Sequence, residues 1–99
     1  MGGHSEGYAL DGLGSVYRDL SRPVDAIASF EESVVKHRAS GDLRAEARAL
    51  KHLGEVCHQI GRAAAAREAL TRAVEIFEQV ADQAEAKETA SLLASLTED

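Results

Sequence analysis

The chain repeats itself at an offset of forty residues, and this constrains its fold more than any other feature. Setting each residue against the one forty places on gives identities at Ala9/Ala49, Leu10/Leu50, Leu13/Leu53, Gly14/Gly54, Val16/Val56, Arg22/Arg62, Ala26/Ala66, Val34/Val74 and Asp42/Asp82. Leu20/Ile60 and Phe30/Leu70 are conservative pairs at the same offset. Such a period is the mark of stacked supersecondary units, each unable to bury its apolar face alone.

Inside each unit the apolar spacing is helical. Leu10, Leu13, Val16, Tyr17 and Leu20 recur at three and four, as do Leu50, Leu53, Val56, Cys57 and Ile60. A second helix follows in each copy. It carries Val24, Ile27, Phe30, Val34 and Val35 in the first, and Ala66, Ala69, Leu70, Val74, Phe77 and Val80 in the second. Punctuation supports two helical hairpins. Pro23 suits the first turn of a helix, Gly41 suits a helix end, and Asp42 suits the cap of the next helix. Asp82 followed by Glu85 matches a capping box, so a fifth helix is expected from about Gln83, with Ala86, Ala90, Leu93 and Leu96 on one face.

These residues resemble the tetratricopeptide repeat. The first copy supplies Leu10, Leu13, Gly14, Tyr17, Ala26 and Phe30; the second supplies Leu50, Leu53, Gly54, Ala66, Leu70 and Ala73, with Cys57 where tyrosine is usual. The forty-residue period is similar to the longer variety seen in kinesin light chains, G-protein-regulating scaffolds and the C-terminal regions of large bacterial transcriptional regulators. The resemblance implies an all-α solenoid of two hairpins and a C-terminal capping helix, about five helices. The expected organisation is a disordered lead at 1–5 and one domain over 6–99, with repeats at about 7–42 and 43–82 and a cap at about 83–97. Two repeats and a cap are few for an independent stack, so a fragment or C-terminal module of a larger protein is expected.

Composition excludes several classes. A net charge of −6 argues against a nucleic-acid surface, which needs concentrated Lys and Arg. No run approaches the length of a membrane helix, and "MGGHSEG" lacks the basic and apolar regions of a secretory signal. The lone Cys57 cannot form an internal disulfide, which fits a cytoplasmic location.

Three constellations could suggest chemistry. Gly12-Leu13-Gly14 could open a phosphate loop, but the third glycine would fall at Tyr17 and no strand precedes it. Gly14 and Gly54 read instead as places of close helix approach. His52, Cys57 and His58 lack the spacing of metal ligands three or four apart on a helix. Neither catalysis nor a cofactor is therefore expected. The charged residues Glu31, Glu32, Asp42, Arg44, Glu46 and Glu68 read as solvated surface.

The resemblance further implies that the first helices line a concave groove. The groove-facing places are Tyr8, Asp11, Gly12, Ser15, Arg18 and Asp19, then Arg48, Lys51, His52, Glu55, His58 and Gln59. Arg48, Lys51 and the two histidines form a basic group suited to an acidic peptide or a C-terminal carboxylate; the alternative is ordinary solvated surface. The chaperone-tail clamp of the family is not matched, since Asp11, Ser15 and His52 stand at its positions. The function expected is a non-catalytic module binding a partner peptide or helix on its concave face. The alternative is a regulatory or self-association segment of a larger bacterial transcriptional or signalling regulator. The expected partner is a protein or peptide, with neither nucleic acid nor membrane, and a homo-oligomer is the other arrangement considered.

Overall fold

A computed structural model describes residues 3–97 of the chain. It is an all-α solenoid of five helices: α1 (Gly3–Asp19), α2 (Pro23–Ser40), α3 (Leu43–Gln59), α4 (Ala63–Gln79) and α5 (Gln83–Thr97). Of the lead expected at 1–5, Met1 and Gly2 lie outside the described residues, and α1 begins at Gly3. That helix runs unbroken through Gly12 and Gly14, so there is no phosphate loop.

Each helix packs on the next in order. The described turns share one device at a twenty-residue interval: Ser21, Gly41, Gly61 and Ala81 all take positive φ. At Gly41 the left-handed conformation lets its N–H reach the Arg38 carbonyl and the Asp42 N–H reach that of His37, closing the end of α2. Asp42 then caps α3 by accepting from the Ala45 N–H at 3.1 Å, and Asp82 caps α5 by accepting from that of Glu85 at 3.2 Å.

The slab measures 43 × 33 × 18 Å, two helices deep. Its core runs from α2 to α5. Phe30, Ile27, Val56, Cys57, Leu70 and Leu96 form one cluster; Val34, Leu50, Ile76 and Phe77, with several alanines, form the other. The alanines keep helix axes close, and the glycines bring them closer still. A Cβ at Gly54 would stand 2.7 Å from Leu70, and one at Gly14 would stand 2.7 Å from Phe30.

Two expectations require correction. In α5 the buried face includes Thr89 in place of Ala90, which is exposed. Glu46 is not solvated surface: its carboxylate is fully buried, accepts from Arg38 Nε at 2.9 Å and has Arg38 Nη2 in ion-pair contact at 2.9 Å. The cause is the short α2–α3 turn, which brings the last turn of α2 over the first turn of α3. At the other end of the stack, α1 leaves Leu13, Val16 and Leu20 exposed.

Candidate functional site

Helices α1, α3 and α5 lie side by side, and their facing side chains meet. Tyr8 Oη donates to Asp42 Oδ2 at 2.8 Å, and that bond is the main cause raising the phenol above its ordinary pKa, with the Arg48 charge nearby opposing it. Arg48 is exposed and, among the described residues, makes no ion pair.

Asp11 turns inward. Its Oδ2 accepts from His37 Nε2 at 2.9 Å and its Oδ1 from Ser33 Oγ, which also lies 3.2 Å from the Gly7 carbonyl. Serine, aspartate and histidine thus meet, but in the wrong order for nucleophilic catalysis. The carboxylate sits between hydroxyl and imidazole, so Ser33 Oγ faces a weakly basic carboxylate and not the imidazole that would activate it as a nucleophile. Ser33 and His37 are also buried. The network ties α1 to α2, and Asp11 is not free for a ligand.

Lys51 is occupied too. Its Nζ lies 3.0 Å from Glu85 Oε1 and 3.1 Å from Glu88 Oε2, both on α5. Burial acts to lower its pKa, but the two carboxylates together raise it above the ordinary value. His52 stacks on Phe30 with ring centroids 5.5 Å apart, and its Nδ1 lies 3.4 Å from Glu55 Oε1. That approach lacks hydrogen-bond geometry, since Nδ1 has no hydrogen-bond partner. Even so, His52 is the main influence holding the Glu55 carboxyl below its ordinary pKa, with Lys51 and Arg18 adding to it and burial opposing. The expected basic group is therefore divided: Lys51 and His52 face carboxylates, and Arg48 stands apart.

What the structure does bring together lies at the far end of α3. A recess of about 200 Å³ opens between α3 and α5, floored by Leu70, Leu92 and Leu96 and rimmed by Glu55, His58, Gln59 and Ser95. A second, of about 280 Å³, is lined by Arg18, Ser21, Pro23, Gln59 and Ile60. Gln59 borders both, so the two recesses adjoin in a strip across the ends of α1, α3 and α5. Of the twelve expected places, Arg18, Glu55, His58 and Gln59 fall on this strip; Ser15 is half-buried outside it, and Gly12 and Asp19 are exposed outside it. A larger hollow of about 430 Å³ beside the α4–α5 turn is walled mainly by alanines and isolated polar side chains. It offers less chemistry than the strip.

The contribution of α5, through Glu85, Glu88, Leu92 and Ser95, was missed by reading two repeats alone. The signal was present: these positions lie forty beyond Ala45, Arg48, His52 and Glu55. Cys57 is buried and its thiol pKa is raised by that burial, the profile of a core residue. Among the described residues no three His, Cys, Asp or Glu side chains gather as metal ligands, and no helix is long and apolar enough to cross a membrane.

The family model described as tetratricopeptide repeat matches residues 5–79. No curated protein matches the chain.

Proposed function

The chain belongs to the tetratricopeptide repeat family, and from that premise we propose that it binds a partner peptide or helix along the strip crossed by the ends of α1, α3 and α5. The family's repeats are protein-interaction modules. The observation that carries the site is the sharing of Gln59 by two adjoining recesses, one with an apolar floor and one beside Arg18. An apolar side chain entering against Leu70, Leu92 and Leu96 supplies most of the affinity. Hydrogen bonds at Gln59, His58 and Ser95 fix its register. With Lys51 neutralised by Glu85 and Glu88, the ligand is chosen by its apolar anchor more than by net negative charge.

The test is selection of binders from a displayed peptide library, followed by amide-shift mapping on the labelled chain. Shifts centred on Arg18, Glu55, Gln59 and Leu92, together with loss of binding in Leu92→Glu, support the reading. Binding that maps to α2 and α4 and survives Leu92→Glu overturns it.

A further inference from the structure

The side of α1 that faces neither α2 nor the strip is apolar and bare. Leu13, Val16 and Leu20 are 42%, 52% and 61% exposed. Ala9 and Gly12 complete the same arc of the helix. In the later repeats the corresponding arc is covered by the second helix of the preceding hairpin: Ala49, Val56, Thr89 and Leu96 are all buried. On α1 nothing among the described residues covers it.

Gly12 adds an independent observation. Of the glycines inside helices, Gly7 has the ring of His37 2.5 Å from an added Cβ, Gly14 has Phe30 and Gly54 has Leu70. Gly12 has nothing within 4 Å. Glycine weakens a helix interior, and no neighbour among the described residues requires it here. At the equivalent positions, His52 stacks on Phe30 of the preceding helix and Leu92 shares a recess with Leu70. Position 12 thus points where a covering helix would lie, and it presents a notch.

We propose that this face of α1 packs antiparallel against the same face of a second copy, with the two-fold axis at Val16. Gly12 and Leu20 stand four residues to either side of Val16, about 6 Å each way along the axis. Antiparallel pairing therefore sets each Leu20 over the other copy's Gly12, a knob and a notch used twice. Ala9, Gly12, Leu13, Val16 and Leu20 include no charge, so no ion is desolvated at the centre. Exposed Val24, just past the turn from Leu20, extends the apolar surface. One helix pair buries less than the roughly 800 Å² per partner of a standard interface, so the dimer is a weak, micromolar one. Each copy carries a charge of −6, so salt tightens the association by screening repulsion. Ala9, Gly12, Leu13, Val16 and Leu20 line neither recess of the strip proposed to bind a partner, and neither reading depends on the other.

Sedimentation of the full chain tests this from low micromolar to near-millimolar concentration. The expected result is a shift from monomer to twice the monomer mass, favoured by added salt. Leu20→Glu raises the dimer dissociation constant by at least about 100-fold. Gly12→Leu fills the notch and does the same, while the dilute monomer keeps or gains helicity and melting temperature, because the site is open and leucine is the better helix former. A strict monomer throughout overturns the proposal, as does a dimer that survives both substitutions.

Discussion

The ring of Phe30 occupies the space that a Cβ on Gly14 would need, its Cε1 only 2.7 Å from that point. Phe30 is wholly buried and held on its other side by His52, so the ring has no room to retreat. Gly14→Ala is therefore expected to destabilise the fold by about 2 kcal/mol, even though alanine is the better helix former by about 1 kcal/mol. Gly12→Ala, on the same helix with open space around it, is expected to stabilise the dilute monomer by about 0.5 to 1 kcal/mol. Urea unfolding of both variants checks the pair. Equal effects would show that intrinsic propensity, and not the Phe30 contact, governs these positions.

Asp11 gives a second expectation. Its carboxylate is the shared acceptor for His37 and Ser33, so Asp11→Ala leaves two buried polar groups without that partner. The variant is expected to lose about 2 to 3 kcal/mol of stability. A ligand-binding role would instead leave the melting temperature unchanged and alter affinity alone. Thermal unfolding and peptide binding, measured on the same preparation, separate the two.

How far these contacts were legible in the sequence depends on whether the repeat carried them. Gly14 and Gly54 are equivalent and meet equivalent side chains, Phe30 and Leu70, so comparison of the two copies found both. The Asp11–Ser33–His37 network belongs to one copy only: its counterparts are Lys51, Ala73 and Phe77. Self-comparison marks such positions as variable surface. Glu46 was misread because its partner Arg38 lies beyond a turn whose course depends on the left-handed Gly41, and an acid in a first turn ordinarily faces water. The pairing of Lys51 within the basic group was hidden for a different reason. The group was drawn from two helices, and Lys51 takes its partners from the third, where Glu85 and Glu88 continue the same columns.

The four left-handed turn residues make a third prediction. Glycine stands at two of them, Gly41 and Gly61, while Ala81 and Ser21 take the same conformation with a side chain attached, at φ 60° and 59°. A side chain there crowds the following carbonyl, and its removal offsets the greater freedom glycine has when unfolded. Ala81→Gly is expected to stabilise the fold by about 0.5 to 1 kcal/mol, and Gly61→Ala to destabilise it by at least as much. Denaturant midpoints decide it. A destabilised Ala81→Gly would mean that the α4–α5 turn is not left-handed in solution.

Glu55 sets the last expectation, in acid. Its folded pKa lies below the ordinary value, chiefly through His52, so the unfolded chain binds a proton at this group more readily than the folded one. Its contribution is complete above the unfolded pKa of about 4.3 and is lost as pH falls through the lower folded value. Stability should therefore decline as pH falls below about 5, and part of that slope should vanish in Glu55→Gln, which cannot titrate. Other carboxylates contribute to both slopes and cancel in the difference. Urea midpoints across this range are the measurement. Because Glu55 also rims the recess floored by Leu92 and Leu96, the same variant reports on the proposed site: a peptide held by an apolar anchor should bind it within a few-fold of the native affinity. Parallel slopes for the two proteins would show that the His52 contact does not persist in solution.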